Sequence, residues 1–207
     1  MTQLNNFPTP NTVDLGLPSG ILWADSNIGA KNPWDSGMAF AWGETMCKPQ
    51  YEWTTYKYAA GSYNKLTKYS CINTLDENIG NNGFTDTLTE LESDDEAAIT
   101  LLGNGWRMPT KSELYELINN CDWQWVTKYN GKSVNGYVVK SQTKEGAQIF
   151  LPAADKSLIG IVSGTYWSNH LNTNFPQCAD ALFFSEDVHH IIREDRYKGV
   201  SIRAVKG

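Results

Sequence analysis

The residues most able to do chemistry in this chain are three histidines near its C-terminus, at positions 170, 189 and 190. His189 and His190 are adjacent, so on a strand their side chains point to opposite faces and cannot chelate one ion together. His170 could join one of them, but a zinc site takes three or four ligands and no cysteine pair has metal-ligand spacing. We therefore expect no metal and no cofactor, and interpret the histidines as solvent-facing contact residues.

The other candidates for chemistry are the thiols of Cys47, Cys71, Cys121 and Cys178. They are widely scattered without a CxxC pair, and a chain of 207 residues needs no disulfides, so we expect free, buried thiols. A dyad of Cys178 with His170 or His189 is conceivable, yet no helix N-terminus precedes Cys178 to activate it. Nucleophile-elbow, phosphate-loop and HExxH motifs are absent from the sequence. We expect no catalytic residues and no enzyme.

The composition is that of one acidic domain. No Pro/Gly/Ser-rich seam divides the chain, so we expect a polar N-terminal arm, residues 1–12, and a single domain, residues 13–207. The net charge of −6 without a basic stripe argues against a nucleic-acid partner. No apolar run could span a bilayer, and Met1 to Asn11 is polar and unlike a signal peptide. Eight Trp and ten Tyr supply rigid area suited to recognition.

Two helices are predicted from their start signals. Acidic residues in Ser93–Glu96 precede the apolar run Ala97–Leu102, which Gly103 ends. Thr110 and Glu113 form a capping box for a second helix. The apolar face of that helix consists of Leu114, Leu117, Ile118 and Cys121.

Short strands surround these helices. Val13–Ala24 is interpreted as two strands joined by a tight Pro-Ser-Gly turn, and residues 51–82 as an irregular surface excursion. Further strands are predicted at Trp123–Val126, Gly136–Lys140 and Gln148–Leu151, with a turn at Asn130-Gly131, and a closing strand spans Val200–Val205. The pattern is α+β, two helices with mostly antiparallel short strands.

Six sequence blocks, in order, resemble the Fibrobacter-type major paralogous domains common in gut Bacteroidetes. The blocks are Val13-Asp14-Leu15-Gly16-Leu17-Pro18-Ser19-Gly20 with Trp23-Ala24 and Asn27-Ile28-Gly29-Ala30, Phe40-Ala41-Trp42-Gly43-Glu44-Thr45, Trp106-Arg107-Met108-Pro109-Thr110, Ile149-Phe150-Leu151-Pro152-Ala153-Ala154, Tyr166-Trp167-Ser168, and Gly199-Val200-Ser201-Ile202-Arg203. Each block is weak alone, but together they cover nearly the whole chain from residue 13. The resemblance implies a C-type lectin-like fold of the formylglycine-generating-enzyme type, whose closing C-terminal strand pairs near the start of the domain.

The same fold carries the variable proteins of diversity-generating retroelements, including phage receptor-binding tail proteins. There, adenine mutagenesis varies the segment between the Tyr-Trp-Ser and Gly-x-Ser-[Ile/Val]-Arg blocks, which corresponds to residues 165–200 here. Mutation of an Asn codon at adenines cannot produce Lys, Glu, Gln, Met or Trp. The positions that satisfy this filter, and form the expected ligand-binding surface, are His170, Asn172, Asn174, Phe175, Asp180, Phe183, His189, Ile191, Arg193, Asp195 and Tyr197.

Strand alternation and the family pattern assign roles within this segment. Leu182 and Phe184 are expected on the core face, which leaves Phe183 exposed with Asp180 beside it. The alternative is that Phe183 packs under a loop.

Several positions outside the expected surface are interpreted as structural. Trp23, Trp42 and Trp167 are expected in the core, and Arg203 in a structural ion pair. In the Trp106–Thr110 block, Trp106 is expected in the core, Arg107 pairs internally, and Pro109-Thr110 sets the start of the helix.

Asp187, Glu194 and Asp195 could form a calcium cluster, but the Glu-Pro-Asn, Gln-Pro-Asp and Trp-Asn-Asp signatures of calcium-binding lectins are absent.

The resulting hypothesis is a variable protein that binds a host-surface protein or glycan, outside the cell, on a virion tail or a bacterial surface. The alternatives are a bacterial adhesin or carbohydrate-binding domain without hypermutation and, with less support, an enzyme of the formylglycine-generating type.

Overall fold

The chain forms three β-sheets and two α-helices in the computed structural model, which describes residues 8–71, 84–103, 105–156 and 161–207. The helices are α1 (Ala97–Leu102) and α2 (Lys111–Asn119). In chain order the strands are β1 (Thr12–Val13), β2 (Leu22–Ala24), β3 (Ala39–Phe40), β4 (Trp106–Arg107), β5 (Cys121–Val126), β6 (Gly136–Ser141), β7 (Gln148–Pro152), β8 (Asp155–Lys156), β9 (Val162–Leu171), β10 (Cys178–Ser185), β11 (Val188–Asp195), β12 (Val200–Ser201) and β13 (Val205–Lys206). This is an α+β arrangement in which the described strand pairs are antiparallel, apart from β12 with β9.

The central sheet has six strands, in the order β11-β10-β9-β12-β3 with β8 also paired to β9. Its middle strands carry alternating large apolar residues, so each face of the sheet covers a separate core. Tyr166 and Leu182 lie in one core, and Trp167 and Ala181 lie in the other. Burial on both faces leaves the outer strand β11, at one edge, as the part of the sheet that meets solvent.

The C-terminal closing segment is divided between two sheets instead of forming one strand. β12 pairs with β3 in the central sheet, and β13 pairs with β2 and β4 in a four-stranded sheet. Pairing of β13 with β2 fastens the C-terminus to the start of the domain, as the resemblance implies. The chain changes sheets at Arg203, which is buried.

The ion pair expected for Arg203 is wrong. Its guanidinium donates to Asn27 Oδ1 at 2.9 Å, Ala24 O at 3.1 Å and Phe150 O at 2.8 Å. These three uncharged oxygens belong to three segments that meet where the chain passes from one sheet to the other, and together they satisfy the buried cation. Arg203 therefore has a structural role, as expected, but its partners are neutral oxygens instead of a carboxylate.

The second helix begins as its sequence predicts. Thr110 Oγ1 accepts from the Glu113 N–H at 3.2 Å, and the Glu113 carboxylate accepts from the Thr110 N–H at 2.8 Å. Arg107 forms a two-pronged ion pair with Glu113, which confirms its internal pairing. Cys121, predicted on the helix face, instead begins β5.

The acids before α1 do not lie in its first turn. They form a 3₁₀ turn, Ser93–Asp95, and both Asp95 and Glu96 are buried. The Asp95 carboxylate is paired with Lys57 Nζ at 3.1 Å and with Lys68, and it accepts from Tyr69 Oη at 2.7 Å. These partners keep the pKa of Asp95 well below its usual value despite its burial.

Two N-terminal expectations need correction. Thr12 belongs to β1, and Asn11 is bonded to the Asp25 carboxylate through its amide N–H and its side chain, so the polar arm does not extend to residue 12. Residues 1–7 lie outside the described residues. The Val13–Ala24 hairpin forms, with Val13 paired to Trp23, and its Pro-Ser-Gly turn is closed by the Gly20 N–H, which donates to Leu17 O at 2.9 Å. The turn does not join the two strands directly, because residues 14–21 lie between them.

The described part of the expected surface excursion, residues 51–71, is mostly irregular and has many exposed residues, as predicted, but three of its tyrosines belong to the core. Tyr56, Tyr58 and Tyr69 are at most 6% exposed. Their rings meet edge to face at centroid distances of 5.5 to 5.9 Å. Residues 72–82 lie outside the described residues. The prediction missed these tyrosines because polar neighbours surround them in the sequence, whereas their rings are buried. The hydroxyl of Tyr56 donates to Trp42 O at 2.7 Å, and that of Tyr69 donates to the Asp95 carboxylate at 2.7 Å.

Candidate functional site

The β10–β11 hairpin positions most of the residues predicted to bind a ligand. Leu182 and Phe184 lie on the core face and are at most 1% exposed, as predicted. Phe183 lies on the other face, where it is half-buried and its ring meets that of His190 at 5.7 Å. Residues two apart on a strand share a face, and residues three apart do not. Asp180 therefore shares the face of Leu182 and does not lie beside Phe183.

A groove of about 470 Å³ lies between α2 and β11. Its lining residues are Lys111, Tyr115, Asn172, Asp180, His190, Ile191, Ile192 and Arg193. Four consecutive residues of β11 take part, and consecutive side chains alternate between faces, so the groove follows the edge of the strand. Its volume falls in the range of sites that hold small ligands or short peptide segments.

The groove contains an ion pair between the buried carboxylate of Asp180 and Lys111, whose side chain is 37% exposed. The Asp180 carboxylate, only 3% exposed, accepts from Lys111 Nζ at 2.8 Å and from Asn172 Nδ2 at 2.7 Å. The expectation that Asp180 contributes an exposed side chain is therefore wrong. A buried carboxylate needs a cation and hydrogen bonds, and α2 and the loop after β9 supply them.

Arg193 lies opposite Asp180 in the strand register and is exposed. Its guanidinium carbon is 3.9 Å from the centroid of the Phe175 ring, so it stacks on that ring with its donors free to face solvent. Asn172 Oδ1 accepts from the Phe175 N–H at 3.1 Å and thereby shapes the loop that carries Phe175. Asn174 is exposed in that loop.

Five of the predicted residues thus meet at the groove: Asn172, Phe175, Asp180, Ile191 and Arg193. Asn174 lies beside them. The remaining five lie elsewhere: His170, Phe183, His189, Asp195 and Tyr197.

His189 is not a solvent-facing contact residue. Its ring stacks on Trp123 at 4.4 Å with an interplanar angle of 6° and meets Tyr137 edge to face. Burial lowers the pKa of His189, which favours the neutral imidazole. His189 and His190 do point to opposite faces, as the alternation predicts.

Tyr197 and His170 also have partners within the protein. The Tyr197 ring is 4.9 Å from the ring of Trp53. His170 Nδ1 is 3.3 Å from the Glu90 carboxylate, where the two residues form an isolated β-bridge. These contacts withdraw both side chains from the groove.

Three residues of this region were not singled out from the sequence. Lys111 and Tyr115 come from α2, and Tyr115 is 44% exposed. Arg196 is 0% exposed although it lies inside the segment expected to vary. The sequence around Arg196 does not indicate that this side chain is buried. The oxygens that accept its hydrogen bonds belong to residues that are distant in the sequence.

The Cys178 thiol does not have the properties of a nucleophile. Cys178 is buried, its Sγ lies 3.5 Å from Asp195 Oδ1, and burial raises the pKa of its thiol to about 12. His189 lies at the far end of β11 from Asp195, roughly 20 Å away at about 3.3 Å per residue, so it cannot form a dyad with Cys178. All four cysteines are free, but Cys47 is exposed and Cys71 half-buried, so only two of the expected buried thiols are buried.

The carboxylates suggested as a calcium cluster are far apart. Asp187 precedes β11, whereas Glu194 and Asp195 end it, which separates them by more than about 20 Å. Within the described ranges no three His, Cys, Asp or Glu side chains are grouped closely enough to hold a metal ion.

No family model, no curated protein and no solved structure matches this chain. Among the described residues, neither helix approaches the length and hydropathy that a bilayer crossing requires.

Proposed function

We propose that this protein is a ligand-binding protein whose C-terminal face, centred on the groove between α2 and β11, recognises a molecule on a host surface. The scaffold is proposed to be C-type lectin-like and the protein to be a retroelement-diversified variable protein, displayed on a virion tail or a bacterial surface. One observation carries the proposal. Within residues 165–200, Trp167, Leu182 and Phe184 are fully buried, while Asn174 and Arg193 of the same segment are exposed together.

The groove offers contacts suited to recognition. Arg193 is preordered by its stack on Phe175, so less side-chain entropy is lost when its guanidinium binds a ligand. Tyr115 supplies an exposed aromatic surface, and arginine and tyrosine are enriched among residues that dominate binding energy. The neutralised pair of Lys111 and Asp180 adds a polar floor without a net charge.

Binding can be tested on an array of glycans and surface proteins probed with the purified protein. Tyr115→Ala should abolish or weaken the signal at least about tenfold, because it removes a central aromatic contact. Tyr63→Ala is the matched control, since Tyr63 is 48% exposed and lies outside the groove. Arg193→Ala should act likewise, with Lys132→Ala as its control, because Lys132 also lies over an aromatic ring, that of Trp34. Equal losses in a variant and its control would contradict the proposed site.

The diversification itself can be tested by sequencing the locus. We expect a nearby template repeat and reverse transcriptase, with adenine-linked substitutions at positions such as 174 and 193. Position 196 should stay Arg, because its side chain is fully enclosed. A locus without repeat or reverse transcriptase removes this part of the proposal and leaves the binding face intact.

A bacterial adhesin or carbohydrate-binding domain without hypermutation is the second candidate. The observation that favours it is the exposed ring of Tyr115, placed in one groove with the partly exposed polar side chains of Lys111 and Asn172. Sugars bind through such combinations of polar groups and an aromatic face. Binding confined to glycans on the array, with a lipoprotein signal upstream in the full gene, would favour this candidate.

A further inference from the structure

The outer edge of β11 is free in the described part of the chain. β11 is the last strand of the central sheet and has eight residues, which is long for an exposed edge. The Arg196 N–H donates to Gln177 O at 3.1 Å, which identifies these two residues as a hydrogen-bonded pair at the end of the ladder. Such pairs alternate along an antiparallel ladder, so the N–H and C=O groups of His189, Ile191 and Arg193 point away from β10.

The next outward N–H supports this assignment. The Asp195 N–H also points away from β10, and it donates to the Oε1 of its neighbour Glu194 at 2.9 Å. At the C-terminal end of β11, the outward N–H group is therefore already satisfied by a side chain of the same strand. The central groups, at residues 191 and 193, have no such partner among the described residues.

The side chains of β11 complement one another when the strand is paired with itself. A two-fold axis at Ile192 places Ile191 opposite Arg193 of the second copy, and these residues are the ones with outward backbone groups. The same register places His190 opposite Glu194, whose carboxylate also pairs with Lys198 Nζ of its own copy at 2.7 Å. It places His189, whose ring is stacked on Trp123, opposite Asp195. A shift of the axis to Ile191 would place His189 against Arg193, and a shift to Arg193 would place two guanidinium groups together.

We propose that two copies of this protein associate through antiparallel pairing of their β11 strands, with the two-fold axis at Ile192. Ile191 and Arg193 exchange four backbone hydrogen bonds across the axis, and the two central sheets become one sheet of twelve strands, twice the six of one copy. The two-fold symmetry keeps both α2 helices, and both grooves, on the same side of the joined sheet. Because the groove follows the same edge of β11, association would cover part of its lining, and formation of the dimer does not depend on the proposed function.

A strand pair alone is smaller than the interface of a permanent dimer, so the association should be reversible and depend on concentration. In sedimentation velocity the wild-type protein should shift from the chain mass of 23.2 kDa towards twice that mass as its concentration rises. His190→Glu should weaken association by roughly tenfold, because two carboxylate pairs then face each other across the axis. Gln148→Glu is the control, since it adds the same charge at an exposed position of another edge strand, β7.

A charge exchange tests the register. Glu194→Lys alone should also weaken the dimer, because it places an ammonium opposite His190 of the second copy and beside Lys198, which pairs with Glu194 in the wild type. Combining Glu194→Lys with His190→Glu should restore association, because the introduced carboxylate of one copy then faces the introduced ammonium of the other. Failure of the double variant to associate, while Gln148→Glu does, would overturn the proposed register.

Amide hydrogen exchange of the wild-type protein needs no variant. Exchange at residues 191 and 193 should slow as concentration rises, while that at 190 and 192, already bonded to β10, should not change. A wild-type protein that stays monomeric, or a dimer in which the amides of 191 and 193 exchange freely, would overturn the proposal. If the protein does not dimerise, the array result for the groove is unaffected. If the array detects no ligand, the proposed dimer is unaffected.

Discussion

Arg196 is the residue whose replacement should damage this fold most. Its Nε donates to Tyr56 Oη at 2.9 Å, and its terminal nitrogens donate to Tyr69 O and Pro176 O at 2.9 Å and to Lys68 O at 3.0 Å. It also lies 5.0 Å from the ring of Trp42. One guanidinium therefore joins the residues 51–71 segment, the loop between β9 and β10, and the end of β11.

The magnitude follows from these contacts. Arg196→Met keeps much of the length and the apolar stem, but it removes four charge-assisted hydrogen bonds and leaves three carbonyls without their donor, two of them buried and one partly buried. An unsatisfied buried group costs about 1–3 kcal/mol, and incomplete relaxation around the shorter side chain reduces the sum. We expect a loss of about 3–5 kcal/mol in the free energy of unfolding, a large part of the roughly 5–15 kcal/mol typical of a domain. A domain of this size should lose roughly 6–20 °C in Tm.

Urea unfolding followed by tryptophan fluorescence measures this loss, since the chain has eight tryptophans. The matched control is Arg193→Met, three residues earlier, where the arginine is exposed. It should change the free energy of unfolding by less than about 0.5 kcal/mol. Arg196→Lys should lie between the wild type and Arg196→Met, because an ammonium retains the charge but cannot reach acceptors on three sides.

Equal stability of Arg196→Met and Arg193→Met would refute the reasoning. It would mean that the carbonyls around Arg196 are solvated in the variant, and that residues 51–71 are not held to β11 through this side chain. If Arg196→Lys loses stability while Arg196→Met does not, the site tolerates an apolar side chain. The hydrogen bonds of Arg196 would then make no net contribution to the free energy of unfolding.

Two further predictions concern single buried positions. Burial raises the pKa of Glu96 to about 7, so in the folded protein this carboxyl stays protonated between about pH 4.5 and 7 while the unfolded chain ionises. The free energy of unfolding should therefore fall across this window by more in the wild type than in Glu96→Gln, as urea midpoints against pH would record. Glu145→Gln is the exposed control, and a parallel pair of wild-type and Glu96→Gln profiles would contradict the assignment. Gly164→Ala should lose about 1–3 kcal/mol, because a Cβ there would lie 2.3 Å from the Phe184 ring, and a change in Tm of less than about 2 °C would show that the ring moves aside.

Local signals in the sequence identified much of the scaffold. The capping box at Thr110 and Glu113, the alternation of Leu182 and Phe184, and the strands on either side of residue 130 depend on neighbours within a few residues, and the structure has them. The tryptophans at 23, 42, 106 and 167 are buried as predicted because no exposed role suits so large an apolar surface.

Long-range polar pairing could not be foreseen from the sequence. Asp180 is buried because Lys111, far away in the chain, reaches it from α2, and Arg196 is buried because segments around residues 56, 69 and 176 meet there. His189 stacks on Trp123 because a separate sheet packs against the start of β11. In each case the side chain alone predicts exposure, and burial depends on partners that only the tertiary structure brings near.

The sequence by itself therefore determined both helices, the strands of the β5-β6-β7 sheet and most of the large side chains that require a core. Those properties arise from the chain's periodicity and from the transfer of apolar surface out of water, which are nearly independent of topology. The tertiary structure alone decided which polar residues of the C-terminal segment face the groove and which are enclosed. Desolvation of a polar group is tolerated only where specific partners meet it, and their meeting is set by how the sheets and α2 pack together.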